Sequence, residues 1–216
     1  LLGLVGSEMC IRDSFSIDPA VYKDDDGEYY MYFGGIWGGQ LQRWRNGVFN
    51  SNNPTSPTAF LPNDDEPALL PFVAKMSDDL LEFAEKPREV QILDERGKLL
   101  LAGDNERRFF EAAWVHKYNG KYYFSYSTGD THFICYAIGD NPYGPFTYKG
   151  KILNPVVGWT SHHSICEFKG KWYLFYHDSS LSKGVTHLRS IKIAEIQYDM
   201  YGLIRTLEPY NDFSIL

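Results

Sequence analysis

The chain has 216 residues, of which 44% are hydrophobic and 16% are aromatic, with 16 tyrosines. This length is enough to bury a substantial core, and the aromatic content is typical of β-strands and of sugar-stacking surfaces. The formal net charge of −7 argues against nucleic acid and anionic membranes as partners. The sequence also contains no apolar run that approaches the ~20 residues of a membrane span.

The first fourteen residues match no other part of the chain. They do not begin with Met, and they lack the charged start and long apolar core of a signal peptide. The run from Ser7 to Ser14 resembles translated adapter sequence at the ends of some assembled metagenomic genes. We therefore interpret residues 1–14 as a non-family artefact, with an edge strand as the alternative, and cytoplasmic and secreted locations both stay open.

Three later segments share one hairpin pattern. Each has a titratable residue, alternating apolar positions, a turn glycine and an aromatic-rich run, which together predict a β-hairpin. The titratable residue stands eight or nine positions before the glycine, in the pairs Asp18 and Gly27, Glu111 and Gly120, and His162 and Gly170. This common offset predicts one site to which three copies of a repeated unit contribute.

A second strand-turn-strand pattern follows each hairpin, so that each repeat predicts the four strands of one propeller blade. The chain therefore predicts an all-β fold of three blades with almost no helix. The blades lie at roughly 15–97, 104–154 and 155–209, with a surface excursion at 50–71 and a tail at 210–216. Because propellers close with about four to eight blades, we expect a piece of a larger ring or a chain that pairs with a partner.

Asp18 and Glu111 are 93 positions apart in sequence, but corresponding points of successive blades face one another across a propeller axis. Two carboxyl groups in an aromatic pocket favour the protonated form of one of them. Glycoside hydrolysis needs such a pair, an acid that protonates the leaving oxygen and a second carboxylate. The alternative is that Asp18 caps a turn before Pro19 and that Glu111 is a solvated strand end.

Four segments, at residues 17–32, 109–127, 158–165 and 186–193, resemble glycoside hydrolase family 43, and the resemblance covers about residues 15–208. It implies a five-bladed propeller that acts on β-xylosides and α-L-arabinofuranosides with inversion. The substrate that it implies is plant hemicellulose, an oligo- or polysaccharide. The reaction that it implies requires no organic cofactor. The choice between xylosidase and arabinofuranosidase stays open, as does a non-catalytic carbohydrate-binding propeller.

The resemblance also implies roles for single residues. Glu111 matches the family's general acid, and Asp18 matches the aspartate that orients this acid and tunes its pKa. His162 matches a histidine on the axis that in some members helps hold a central water or calcium ion, and Arg189 matches an arginine that binds the sugar. The family's general base is an aspartate of the first blade. Asp13 is not a match for it, because the sequence around Asp13 lacks the motif of that aspartate. The chain is therefore expected to carry blades three to five without the N-terminal blades and the base.

Trp37 and Gln40 follow the first hairpin in a glycine-rich stretch that lets backbone approach a ligand. They are weaker candidates for substrate binding, and a tryptophan packed between blades is the alternative for Trp37. His163, adjacent to His162, is expected on the opposite face of its strand. Two further groups carry no predicted chemistry: the buried free thiols Cys135 and Cys166, and the histidines His116, His132, His177 and His187, which form no ligand pattern.

Overall fold

The computed structural model of the protein describes residues 17–45, 48–50, 58–159 and 161–210. The tail predicted at residues 1–14, with Asp13, lies outside these described residues. So do residues 51–57 of the predicted excursion and residues 211–216 of the predicted C-terminal tail.

The first sheet contains four antiparallel strands in the order β1-β2-β5-β6. They are β1 (Ala20–Lys23), β2 (Tyr29–Phe33), β5 (Phe72–Lys75) and β6 (Arg88–Glu89). Between β2 and β5, the strands β3 (Trp44–Arg45) and β4 (Val48–Phe49) pair as a small hairpin outside this sheet.

The second sheet contains five strands in the order β7-β11-β10-β9-β8. They are β7 (Ile92–Leu93), β8 (Glu111–Tyr118), β9 (Lys121–Ser127), β10 (Ile134–Gly139) and β11 (Phe146–Leu153). The strand β7 pairs parallel with β11, whereas the other pairs are antiparallel. Residues 92–93, inside the range predicted for the first blade, therefore belong to the second sheet.

The third sheet contains three described strands in the order β12-β13-β14 rather than the predicted four. They are β12 (His163–Phe168), β13 (Lys171–Asp178) and β14 (Ser190–Ile196). After β14 the chain crosses to the second sheet, where Leu207 forms a parallel bridge with Leu153. The Leu207 amide donates to Ile152 O at 2.8 Å, and Leu207 O accepts from the Asn154 amide at 3.0 Å. Among the described residues the third sheet thus lacks a fourth strand, and the chain instead pairs with the end of β11 beyond β7.

These three sheets confirm the all-β fold of three propeller blades. The described residues contain no α-helix, and their 3-10 turns span Trp37–Gly39, Leu41–Arg43 and Gly129–Thr131. In the part of the chain that the structure describes, no helix is long and apolar enough to cross a membrane. The division into residues 1–14, 15–209 and 210–216 stays a prediction.

Two apolar clusters fill the spaces between neighbouring sheets. The first includes Tyr32 of β2 and Phe124 of β9, whereas the second includes Tyr136 of β10 and Leu174 of β13. Several tyrosine hydroxyls in these clusters find partners, as in the bond from Tyr32 to Pro142 O at 2.7 Å. A buried tyrosine ring can therefore keep its hydroxyl satisfied, as that of Tyr32 does.

The outer face of the third sheet is apolar and exposed. Ile191 of β14 is 80% exposed, and Ile193 lies exposed on the same face. Cys166 is also on this face and is exposed, so the prediction that its thiol is buried is wrong. The reason is that no described sheet packs against this side of the blade. Cys135, between the first and second sheets, is buried and free as predicted.

A buried carboxylate joins the first two blades. Asp24, in the turn after β1, accepts a hydrogen bond from Tyr122 Oη at 2.5 Å and one from Lys117 Nζ at 3.1 Å, both from the second sheet. Burial opposes ionisation of Asp24, but the hydrogen bonds from Tyr122, the Asp25 amide and Lys117 outweigh it and lower the pKa of this carboxyl. Asp24 is therefore a charged, hydrogen-bonded contact between blades.

Replacing Asp24 by Asn should lower the free energy of unfolding by about 1–3 kcal/mol at pH 7, because the partners lose a charged acceptor in a buried place. Asp25→Asn is the matched control, since the exposed Asp25 contacts the same lysine at 2.8 Å and its loss should cost under about 1 kcal/mol. The measurement is urea unfolding of the protein and the two variants.

The folded-state pKa of Asp24 is lowered, so its contribution exists above the unfolded pKa of about 3.9 and is lost as the pH falls through the folded value. The stability difference between the protein and Asp24→Asn should therefore shrink as the pH falls from 5 to 3. A difference that stays constant over this range would contradict the assignment.

Candidate active site

The strands β1, β8 and β12, each at one edge of its sheet, lie next to one another, with β8 in contact with both of the others. The Trp114 indole N–H of β8 donates to Ile165 O of β12 at 3.1 Å. The Ile36 amide, after β2, donates to Phe110 O at the start of β8 at 2.9 Å. The N-terminal ends of the three strands thus meet, and these ends carry Asp18, Glu111 and His162.

Asp18 lies two residues before β1 and contacts both of the other blades. Its Oδ2 accepts a hydrogen bond from the Ala112 amide at 3.3 Å, and its Oδ1 is 3.6 Å from His162 Nδ1. The backbone of Asp18 has φ = 56°, which is uncommon outside glycine but best tolerated by Asn and Asp. This conformation directs the carboxylate away from its own blade.

Glu111 is the first residue of β8 and pairs with Ser127. A register shift between Glu111 and Trp114 marks a β-bulge, within which Ala112 has φ = 61°. Bulges re-aim side chains at the ends of strands, and here the bulge also turns the Ala112 amide toward Asp18.

Gly35 packs between the Asp18 and Glu111 segments. A Cβ atom at residue 35 would be 2.5 Å from Ile17 Cγ1 and 3.7 Å from Glu111 Cβ. The absence of a side chain at this position lets the two segments approach, because a Cβ atom is essentially never 2.5 Å from a carbon to which it is not linked by bonds.

His162 lies one residue before β12, and its amide donates to His177 Nε2 at 2.9 Å. Arg189, one residue before β14, places Nη1 3.4 Å from the same nitrogen and donates from Nε to Thr186 O at 3.1 Å. Both groups that face His177 Nε2 are donors, so this nitrogen is the acceptor and the proton belongs on Nδ1. Burial, followed by the charge of Arg189, lowers the pKa of His177 to about 4.

The structure thus brings Asp18, His162 and the backbone next to Glu111 together, and it joins the exposed Arg189 to them through His177. Sequence reasoning missed His177, because a single histidine at the end of a strand carries no ligand spacing. Its one signal is its place in β13 opposite Ile191, two residues beyond Arg189.

Trp37 stands in a 3-10 turn beside the start of β8, and its ring is packed on two sides. The Phe110 ring meets it nearly perpendicular at 5.2 Å, and the Trp159 ring stacks on it at 5.9 Å with an interplanar angle of 17°. Gln40 caps this turn through its backbone N–H, which donates to Trp37 O at 3.0 Å. Sequence reasoning did not select Trp159, although it lies only three residues before His162.

Two other histidines are structural. His163 is buried and shares a 2.7 Å hydrogen bond between Nε2 and Ser125 Oγ, so it faces the second sheet as strand alternation predicts. His116 is buried against Tyr198, whose hydroxyl is 2.8 Å from its Nε2. Burial lowers the pKa of His116 to about 3 and that of His163 well below its ordinary value, so both rings stay neutral.

A separate cavity of about 430 Å³ shares no residue with this site. Its lining includes Asp64, Asp94 and Asp104, and Arg107. Arg107 is already paired with Asp104 at 2.6 Å and with Glu95 at 3.5 Å. One arginine does not compensate three aspartates, so the lining carries a net negative charge.

Comparison with known proteins gives a consistent result. The family model described as glycosyl hydrolases family 43 matches residues 71–204. A xylosidase/arabinosidase of Bacteroides ovatus is 65% identical over 198 residues, which are 92% of this chain and 59% of that protein. A β-xylosidase of Xylanibacter ruminicola is 61% identical and is covered to 60%. The chain thus spans about three fifths of the length of these relatives.

Solved structures agree with this comparison. A β-xylosidase/α-arabinofuranosidase from a compost microbial metagenome, in complex with xylotriose and in a calcium-free form, superposes with a TM-score of 0.86 at 66% identity. The match covers 90% of this chain and 58% of that one. A Xanthomonas citri enzyme complexed with xylose gives a TM-score of 0.85 at 56% identity, with 93% and 59% covered.

Gly129 supports the start of β8, and its substitution should destabilise the protein. It has φ = 71°, and a Cβ atom there would be 2.3 Å from Cγ of Phe110, the residue before Glu111. Gly120→Ala is the matched control, with φ = 73° and no atom within 4 Å. Both variants carry about 1–2 kcal/mol of backbone strain. Gly129→Ala should cost a further ~1–3 kcal/mol from the overlap with the ring.

The comparison of thermal or urea unfolding of the two variants isolates the steric contribution. Equal losses in Gly129→Ala and Gly120→Ala would show that the Phe110 ring moves freely and does not fix the start of β8.

Proposed function

Because the chain belongs to glycosyl hydrolases family 43, we propose that the whole protein is a glycosidase that cleaves β-xylosidic or α-L-arabinofuranosidic bonds of plant hemicellulose with inversion. The observation that carries this proposal is the hydrogen bond between the Asp18 carboxylate and the Ala112 amide, directly after Glu111. The names of the relatives support both sugar classes, so the substrate is proposed as an oligo- or polysaccharide that contains one or both.

In the proposed reaction Glu111 is the general acid and gives its proton to the leaving glycosidic oxygen. Asp18 acts through position and charge. Its hydrogen bond holds the bulge from which Glu111 projects, and a neighbouring carboxylate favours the protonated form that an acid needs.

Arg189 and His162 are proposed to bind the sugar at the cleaved bond. The guanidinium of Arg189 is oriented by Thr186 O and His177 Nε2, and Nη2 offers two further donors. A planar fork of donors can hold two hydroxyl oxygens at once, which a lysine cannot do. Trp37 and Gln40 are proposed to border this site, with the Trp37 ring as packing support.

An inverting mechanism also needs a base about 6.5–9.5 Å from the acid, which activates a water on the opposite face of the sugar. No described residue of the chain matches the family's base. We propose that the base and the remaining, N-terminal blades belong to the part of the whole protein that these 216 residues do not include.

One solved relative is described in a calcium-free form. Among the described residues, no group of three or more His, Cys, Asp or Glu side chains is placed to hold a metal ion. Calcium takes six to eight oxygen ligands, whereas the carboxylate that lies next to His162 in the described residues is that of Asp18. These residues do not form a calcium site by themselves, and no step of the proposed reaction passes through the ion.

Glu111→Gln in the whole protein should reduce kcat/KM on glycosides with poor leaving groups by about 10²–10⁴-fold, because these substrates depend on proton donation. On substrates with good leaving groups, kcat/KM should fall little. The assay compares aryl xylosides and aryl arabinofuranosides with leaving groups of different acidity. Glu106→Gln is the control, since Glu106 is exposed and pairs with Lys151 at 2.8 Å.

The same assay applied to the 216-residue chain alone should give no enzymatic rate, because the base is not among its matched residues. Activity of the chain equal to that of the whole protein would show that the base is misplaced. Equal losses on good and poor leaving groups would exclude Glu111 as the acid. Sugar binding without turnover by the whole protein would instead indicate a carbohydrate-binding propeller.

Arg189→Ala should lower kcat/KM by about 10- to 100-fold, the cost of losing one or more charged hydrogen bonds to the sugar. Arg189→Lys should recover only part of this loss, because a lysine cannot bind two hydroxyls through one planar group. Arg205→Ala, at an exposed position after β14, is the control. An unchanged kcat/KM in Arg189→Ala would remove Arg189 from the site.

A further inference from the structure

The stacked pair of Trp37 and Trp159 presents its free surface at Trp159. Trp37 is covered by the Phe110 ring and by Trp159 itself. Trp159 meets the His132 ring edge-on at 5.5 Å but remains 41% exposed. The accessible aromatic ring at this place is therefore Trp159, and Trp37 is the support behind it.

The surroundings of this pair contain buried polar atoms without hydrogen-bond partners among the described residues. They are Trp37 Nε1, Gln40 Oε1 and His132 Nδ1. Such atoms usually cost stability unless water or a ligand satisfies them. A donor, an acceptor and an imidazole nitrogen beside an exposed aromatic ring match a sugar, which offers hydroxyl groups and an apolar face.

The position of the pair indicates which sugar it would contact. Phe110, which packs against Trp37, directly precedes Glu111, the proposed acid. An acid faces the oxygen of the leaving group, whereas Arg189 lies on the His162 and His177 side of Asp18. Because the pair packs on the residue next to the proposed acid, we infer that it adjoins the leaving-group side of the cleaved bond.

We propose that Trp159 is the stacking surface for the sugar unit on the leaving-group side, and that it sets the preference of the enzyme for oligosaccharides over glycosides with small leaving groups. This inference rests on the proposed glycosidase function. It assigns the stacking role to Trp159 rather than to Trp37.

The test uses the whole protein and two substrates that differ only on the leaving-group side, xylotriose and β-D-xylosyl fluoride. Trp159→Ala should raise KM for xylotriose about tenfold or more, because a stacking surface is lost. It should leave kcat/KM for the fluoride unchanged, since fluoride does not reach the ring. The KM of Trp159→Phe for xylotriose should lie between that of the unchanged protein and that of Trp159→Ala. Tyr201→Ala, at an aromatic residue 79% exposed after β14, is the control.

Equal losses on both substrates in Trp159→Ala and Trp159→Phe would overturn the inference, because they would assign Trp159 a packing role behind Phe110. An unchanged KM for xylotriose would overturn it as well. If the protein cleaves only arabinofuranosides, the corresponding arabinofuranosyl oligosaccharide and fluoride form the pair. A whole protein that turns over none of these substrates would overturn the proposed function, and this inference with it.

Discussion

The hydrogen bond from the Ala112 amide to the Asp18 carboxylate is the contact on which the candidate site depends. It joins two blades at the N-terminal ends of β1 and β8, and both residues have left-handed backbone. Each such residue costs roughly 1–2 kcal/mol outside glycine. The rest of the structure must therefore offset this strain, and the packing between the blades can do so.

That packing is aromatic and lies between the sheets. The rings of Tyr32, Phe124 and Tyr136 fill the two inter-blade cores, and the hydroxyls of the two tyrosines form hydrogen bonds with backbone groups. The buried Asp24 adds a charged contact between the first two blades. Because these contacts fix the orientation of neighbouring blades, residues on different blades can be held at hydrogen-bond distance.

Neutral histidines extend the site beyond the carboxylates. His177 accepts from the His162 amide and faces the Arg189 guanidinium with the same nitrogen, an arrangement that a protonated ring could not make. Its burial keeps the ring neutral at ordinary pH. The proposed sugar-binding arginine is thus oriented by a residue that need not contact the sugar itself.

The sequence by itself determined the three blades, because the period of strands and turn glycines is local and repeats. It also predicted which residues stand at the strand ends, since Asp18, Glu111 and His162 occupy one point of that period. Tertiary structure alone decided the role of His177, the exposed ring of Trp159, and the pairing of Leu207 and β7 with β11. These features depend on contacts between residues far apart in sequence, which no local period specifies. The exposure of Cys166 has the same origin. Its apolar neighbours in sequence suggest burial, but no described sheet packs against its side of the blade.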